Sequence, residues 1–380
     1  MTTSPHKRLG LITESAKKGV RSHYEGIGNE PTQPPLMVPA TGACENVLTL
    51  FRIAGASSLY LSQTGQLSLE VNLQENDGVF CEGFSFRDDK ADERHLNQFC
   101  LIEEEFTCAQ IGVDADSPAA PHAMFKELLE RITSAVCSMF RGVLDDCATA
   151  VGADYAHVEH AVAYAAEAKT WPSITYRNAL ERLNSAGVAR LAFGDDLEAD
   201  HEKALIELVN VEYDGPALPV FVTHYPEGIK FFNMKVDPSD PSVVLSADLL
   251  LPFAGESVGS AVREDDFKLL VKRLESSTML GLLEKAEKEE RVKAAKRNPL
   301  RYATHVVSDY LRSLVVDGSK DDGQSESRRY FDKYLSLMES GRVPLHAGYG
   351  IGLERVLQFI FRATDIRDVS QAHQLYQQLA

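Results

Sequence analysis

Arg87 closes one apolar stretch, and Phe99 stands near the start of another that carries Glu103 and Glu105 at alternate positions. Glu256 and Arg263 share Gly255-Glu256-Ser257-Val258-Gly259-Ser260-Ala261-Val262-Arg263-Glu264. Gln66 follows a glycine, and Arg355 follows Gly348-Tyr349-Gly350-Ile351-Gly352. Two guanidinium groups, a flat ring, a carboxylate and a strand lacking Cβ atoms suit a nucleotide. Phe99 and Arg355 can sandwich a base, because a guanidinium plane stacks on flat rings. Arg87 can neutralise charge growing on a phosphate during in-line displacement. Glu256 can hold Mg²⁺, which takes few carboxylates and keeps waters. Each residue also has a plainer reading: Arg87 as a sheet-edge ion pair, Phe99 as core, Glu256 as a surface-turn acid, Arg263 as a helix-end partner. Taken together and in this order, the residues favour a site. GxxxxGK[ST] is absent and no GxGxxG follows an early strand, which argues against a P-loop or dinucleotide site.

The elements that would position these residues follow from periodicity. Phe84 to Arg87 and Gln98 to Cys108 read as a hairpin around a polar loop, Asp88 to His95. On the second strand Phe99, Leu101, Glu103 and Glu105 share a face, since side chains alternate, with the carboxylates about 13 Å beyond the ring at ~3.3 Å per residue. Two carboxylates there predict a wet surface. Gly348 to Gly352 reads as a strand that lets a ligand approach, and Leu353 to Phe361 has helical spacing. Residues 122–148 predict an amphipathic core helix, and helices are expected over 157–169, through Leu183 and from Gln66 to Val71. Strands are expected at Leu59 to Gln63, at Leu218 to Val222 joined by a turn to Ile229 to Met234, and at Val243 to Leu251. Pro34 to Pro39 reads as an edge strand. Residues 1–34 read as an extended arm or one short helix, Ser276 to Arg297 as a charged surface helix, Asp317 to Ser327 as a polar mobile stretch, and Arg328 to Glu339 as helix. No internal repeat is found.

The 380 residues are enough for one large or two ordinary domains. A content of 44% hydrophobic and 25% charged residues is that of a soluble globular chain. No apolar run approaches the roughly 20 residues a bilayer requires, and the N-terminus lacks the apolar core of a secretory signal. Six scattered cysteines without a CxxC pair read as reduced thiols of a cytoplasmic protein. A net charge of −17 argues against a dominant nucleic-acid-binding surface.

Phe86-Arg87-Asp88-Asp89 with Arg94-His95-Leu96-Asn97-Gln98-Phe99 resembles the second motif of class II aminoacyl-tRNA synthetases, asparaginyl/aspartyl subgroup. Gly348 to Leu357 resembles the third motif, and Pro35 to Glu45 is a weaker version of the first. Thr64 to Glu70, Gly194 to Leu197, Pro219 to Pro226 and Asp248 to Pro252 with Glu256, Arg263 and Glu264 look like the asparaginyl branch. The resemblance spans about residues 30–370. It implies an α+β fold, an antiparallel sheet flanked by helices. Residues 1–34 would be an arm before a catalytic domain over 35–380, with a helical insertion at 264–340. It further implies a homodimer, and ATP with Mg²⁺ for carboxylate activation to an acyl-adenylate. By motif matching, Arg87 would contact the α-phosphate and His95 the triphosphate. Phe99 and Arg355 would clamp adenine beside Gly350 and Gly352, and Glu256 would bind Mg²⁺. Thr64, Gln66, Glu103 and Glu45 would hold the amino acid's ammonium end. Arg263 would read its side chain, a bidentate task. Leu69 stands where the aspartyl branch has a lysine.

Several residues depart from the family pattern. About 34 residues precede the first motif, too few for the family's anticodon-reading OB-fold. Asp88-Asp89-Lys90-Ala91-Asp92-Glu93 is acidic where the family's loop nears tRNA phosphates. His224 replaces an aspartate, Glu45 to Thr49 departs from the amino-acid loop, and the region between Arg263 and Gly348 is long. The sequence thus points to an AMP-forming ligase that adenylates aspartate or a related amino acid and transfers it to ammonia or another amine, as in synthetase-like asparagine synthetase. The rivals are an asparagine–tRNA ligase, helped by Lys285, Lys288, Lys293, Lys296 and Arg297, and a binding-only paralogue. Retention of Arg87, Glu256, Arg263 and Arg355 together speaks against the last.

Overall fold

The computed structural model describes residues 5–40, 47–53, 59–147, 155–297 and 326–379. In chain order the helices are α1 (Pro5–Gly26), α2 (Gln66–Asn72), α3 (Ala120–Cys147), α4 (Ala156–Ala168), α5 (Tyr176–Ser185), α6 (Ala199–Asn210), α7 (Phe267–Ser276), α8 (Thr278–Arg297), α9 (Glu326–Glu339), α10 (Leu353–Phe361) and α11 (Gln371–Leu379). The strands are β1 (Glu30–Pro31), β2 (Met37–Val38), β3 (Tyr60–Leu61), β4 (Gly78–Phe86), β5 (Gln98–Thr107), β6 (Ser173–Thr175), β7 (Val220–Thr223), β8 (Val236–Asp237), β9 (Asp240–Val244), β10 (Ser246–Leu251), β11 (Gly255–Val262) and β12 (His346–Gly352).

The eight-stranded sheet runs β1-β4-β5-β12-β11-β10-β7-β6. Every pairing from β4 to β7 is antiparallel, and short parallel strands, β1 and β6, border the two edges. This is the expected α+β architecture. β5 and β12 lie side by side near its centre, with Gly348 opposite Glu105 and Gly350 opposite Glu103.

Alternation along β5 sends Cys100, Ile102 and Phe106 into the main core, where they meet α1, α3 and α10. α10 buries Leu353, Val356, Leu357 and Ile360, the i, i+3, i+4, i+7 stripe, which leaves Arg355 on the flank toward β11. α7, α8 and α9 pack on a second cluster with Leu50, Tyr60 and Leu67.

Where an extended arm or one short helix was expected there is a helix, longer than foreseen at 22 residues, because Leu9, Ile12, Ala16, Val20 and Tyr24 form a buried stripe. Glycines let it press onto α3: a Cβ on Gly19 would lie 2.2 Å from the Ser138 carbonyl oxygen, and one on Gly142 2.3 Å from that of Ser15.

Other expectations are corrected. The hairpin's first strand begins at Gly78, six residues earlier than expected. Ile229 to Met234 forms no strand; a 3₁₀ turn, Glu227–Ile229, occupies its start. Val243 to Leu251 is two strands separated at Leu245. β11 and α6 were not anticipated, while α7 falls within the helical insertion expected at 264–340. Most of the polar stretch from Asp317 to Ser327 lies outside the described residues. Among the described residues no helix is long and apolar enough to cross a membrane. Cys81, Cys100, Cys108 and Cys137 are free and buried.

Candidate active site

Eleven of the twelve residues singled out in the sequence line one cavity of about 550 Å³; the twelfth, Glu45, lies outside the described residues. Arg87, His95 and Phe99 come from the hairpin, and Thr64 and Gln66 from the start of α2. Glu103, Gly350 and Gly352 form the central sheet wall, with Glu256, Arg263 and Arg355 beside them.

At the hairpin end the Arg87 guanidinium carbon lies 5.5 Å from the Phe99 ring centroid, a stacking distance. Its Nε is buried and makes no hydrogen bond among the described residues. A buried donor without a partner is costly and marks a place for an acceptor. Asn97 fixes the backbone here, donating to the carbonyls of Arg87 (3.0 Å) and Asp89 (2.6 Å). His95 pairs with Asp92 at 2.9 Å and is half exposed at the cavity lip. Arg355 donates to the carbonyls of Ala254 (2.5 Å) and Arg94 (2.7 Å), so its plane is held rigidly.

In the middle of the wall, Glu103 accepts hydrogen bonds from Thr64 Oγ1, from Gly65 N–H at 2.8 Å and from the Cys81 thiol at 3.6 Å. Burial holds its carboxyl above the usual range, only partly offset by those donors. A Cβ on Gly350 would sit 3.5 Å from Glu103 Oε1 and 3.6 Å from Gln66 Nε2, an ordinary contact, so this spot is open to a ligand. Gly348 differs. Its missing Cβ would lie 2.0 Å from Glu105 Cδ, so the glycine makes room for a carboxylate of the protein itself.

That carboxylate corrects the expected wet face. Glu103 and Glu105 are both almost fully buried. Arg263, 1% exposed, gives Nε to Glu105 Oε1 at 3.1 Å and Nη2 to the same carboxylate, with Glu70 Oε1 3.7 Å from Nε. Its Nη1 makes no hydrogen bond among the described residues. Glu70 also receives Tyr334 O–H at 2.5 Å and Asn233 Nδ2 at 2.7 Å, and faces His346 Nε2 at 3.2 Å. Burial alone would lower the His346 pKa, but Glu70 and Glu105 outweigh it and hold the ring above its ordinary value. Burial lifts Glu105 while Arg263 pulls it down. A guanidinium this deep stays charged because ionised carboxylates face it, so we take Glu105 as the ionised partner. Two carboxylates, one guanidinium and one imidazolium sum to no net charge.

At the far wall, Glu256 lines the cavity and is exposed to it. Burial first, then Asp248 and Glu202, hold its carboxyl above the usual carboxylate range. Its Oε1 and Asp248 Oδ1 approach the same bare spot on Gly259, at 3.5 and 3.9 Å from where a Cβ would stand. Among the described residues no three His, Cys, Asp or Glu side chains form a ready-made metal cage. Two crowded carboxylates nevertheless fit Mg²⁺, which binds through one or two of them and keeps waters.

Sequence reasoning gave no role to Asp248 and Arg94, although both stand in the family-like motifs, and missed Lys230 and Glu202; all four also line this cavity. Asp248 carried a signal, a lone carboxylate inside an apolar strand. Glu202 carried none: it reaches from α6 to Arg94 Nη2 (3.0 Å) and to the Glu256 N–H (3.1 Å). His224 does not touch this cavity. It lines a separate one of about 680 Å³ with Phe125 and Arg182, in a left-handed conformation with φ 57°.

The model for tRNA synthetases class II (D, K and N) matches residues 6–297 and 305–372. An asparagine–tRNA ligase of Desulforamulus reducens is 31% identical over 371 residues, covering 97% of this chain and 69% of its own length. One from Pyrococcus abyssi is 30% identical over 340 residues, covering 88% of this chain and 60% of its own. The chain thus spans about two thirds of such relatives. Asparaginyl-tRNA synthetase of Pyrococcus horikoshii, crystallised with asparaginyl-adenylate, superposes with a TM-score of 0.71 at 26% identity, covering 97% of this chain and 68% of that one. The Entamoeba histolytica aspartyl enzyme shares the fold, with a TM-score of 0.64 at 17% identity. This chain belongs to the class II tRNA synthetases of the D, K and N group.

Proposed function

We propose that the chain activates asparagine with ATP. An oxygen of the amino acid's α-carboxylate attacks the α-phosphorus, the bond to the β-phosphate oxygen breaks, and pyrophosphate leaves an asparaginyl-adenylate. Arg87 takes the α-phosphate, His95 the outer phosphates, and Phe99 and Arg355 hold adenine beside Gly350 and Gly352. Glu103, with Thr64 and Gln66, takes the ammonium. Glu256 with Asp248 would hold Mg²⁺, which when bound neutralises phosphate charge. The protein's contribution is positioning and preset charge.

The observation that carries asparagine over aspartate is the neutralised side-chain pocket. Arg263 is already matched by Glu105 and Glu70, so an aspartate side chain would bring a third carboxylate into a buried cluster. A neutral amide can accept from Arg263 Nη1 and donate to Glu105 without adding charge.

Transfer to tRNA is supported by the asparagine–tRNA ligases the chain resembles and by Lys285 and Lys288, exposed on α8; the side chains of Lys293, Lys296 and Arg297 lie outside the described residues. This reading displaces the amide-forming one drawn from the sequence, which keeps one observation: the loop that lends Asp89 and His95 to the cavity also carries Asp88, Asp92 and Glu93, where phosphate contact calls for positive charge. A second copy of the chain is proposed to cover the exposed Leu36 and Met37 of the first-motif segment, and light scattering on the eluted protein would read a dimer mass.

ATP–pyrophosphate exchange with single amino acids, followed by product analysis with total tRNA or ammonia, tests the proposal. Asparagine-dependent exchange and charged tRNA are expected. Exchange with amide as the only product would restore the amide-forming reading. No exchange with any amino acid would overturn adenylation.

A further inference from the structure

The acidic wall that would hold the metal already contains a cation. Lys230 Nζ donates to Asp248 Oδ2 at 2.8 Å and lies 3.9 Å from the Tyr225 ring centroid. Lys230 is 16% exposed and Asp248 7%, so water screens their attraction little. Tyr225 is buried beneath, which seats the ammonium on a flat ring instead of in solvent. Asp248 therefore has its two oxygens in different company: Oδ2 on the ammonium, Oδ1 on the side that Glu256 Oε1 shares.

We infer that Lys230 is a resident counter-cation that keeps Asp248 and Glu256 from capturing free divalent metal, so that metal enters this wall only with the nucleotide. The inference rests on the proposed metal role of Glu256. A divalent ion arriving alone would meet a fixed positive charge on the far oxygen of the same carboxylate. Like charges a few ångströms apart repel strongly where water is scarce, as it is around the largely buried Lys230 and Asp248. A nucleotide's phosphates bring the negative charge that offsets this repulsion, and the carboxylates can then share the ion. The ammonium also steadies two crowded carboxylates while the cavity holds no ligand, since Lys230 acts against the rise in the Glu256 pKa.

Mn²⁺, whose free ion has a distinct paramagnetic resonance signal, serves as the probe. Free Mn²⁺ is titrated against the full chain, Lys230→Met, Lys230→Gln and Glu256→Gln, each with and without a non-hydrolysable ATP analogue, with melting curves recorded for every variant. Removing the ammonium should tighten Mn²⁺ binding to the nucleotide-free protein at least tenfold in whichever lysine variant melts as a folded protein. With the analogue bound, the difference should shrink. Binding by the folded lysine variants no tighter than by the native chain would overturn the inference. So would native protein that holds Mn²⁺ equally well with and without analogue. If Glu256→Gln binds Mn²⁺ and analogue together like the native chain, the metal reading of Glu256 itself fails, which is a separate result.

Discussion

Glu103, Glu104 and Glu105 are consecutive on β5 and fully or almost fully buried, yet they meet different company on the two faces of one sheet. On the core face, Glu104 Oε1 accepts Arg131 Nη1 at 2.5 Å and Asn29 Nδ2 at 2.7 Å, and Arg131 packs 4.1 Å from the Phe106 ring centroid. On the cavity face, Glu105 is matched by Arg263, but among the described residues Glu103 accepts hydrogen bonds only from a hydroxyl, a backbone N–H and a thiol. A buried carboxylate whose direct partners are all neutral waits for a cation, and an amino acid's ammonium is one. On the proposed function, the difference marks where protein ends and substrate begins.

Glu104→Ala should break the core face. It strands a buried arginine, a loss of about 3–5 kcal/mol, read by denaturant unfolding, while the protein that remains folded still catalyses exchange. Exchange falling further than the folded fraction would mean the two faces are not separable. Arg87→Ala should do the reverse, lowering asparagine-dependent exchange by about 10²–10³-fold with unchanged melting; unaltered exchange would remove Arg87 from the phosphate.

Two glycines sharpen the contrast within the cavity face. Gly348→Ala drives a methyl into Glu105 and should cost about 1–3 kcal/mol in stability together with the preference for asparagine. Gly350→Ala fits against Glu103, so stability should move by only about 0.5 kcal/mol while the asparagine KM rises. Equal melting points for the two variants would contradict the assignment of Gly348 to the protein and Gly350 to the ligand.

The remaining effect is the pH dependence of Glu103. Its folded-state pKa lies above the ordinary 4.5. Protonation therefore favours the fold: this contribution to stability is present at low pH and lost as pH rises through the raised value. Substrate binding has the opposite sign, because the ammonium needs the carboxylate. The KM for asparagine should climb as pH falls through the raised value, by about tenfold per unit below it. A KM flat from neutrality down to 4.5 would argue against Glu103 as the ammonium's partner.

Much of this was legible in the sequence because it depends on short-range periodicity. Alternation placed Glu103 and Glu105 on one face of β5, and the 3.6-residue period bounded α10 at Leu353 and Phe361. What was not legible depends on distance along the chain. Glu202 meets the Glu256 N–H across 54 residues, and no local pattern announces that contact. The α1 stripe is diluted by polar residues, so its burial against α3 rests on Gly19 and Gly142, 123 positions apart. Gly348 and Gly350 look alike in sequence; only the register of β12 on β5 separates them.

The central claim is that the side-chain pocket is neutral before substrate arrives, with Arg263 and the His346 imidazolium together matched to Glu105 and Glu70. The most direct test is the ratio of kcat/KM for ATP–pyrophosphate exchange with asparagine and with aspartate, measured on the native chain at neutral pH. A preference for asparagine of at least about 10²-fold is expected, since the wrong ligand buries an unmatched charge. Equal use of the two, or a preference for aspartate, would contradict it.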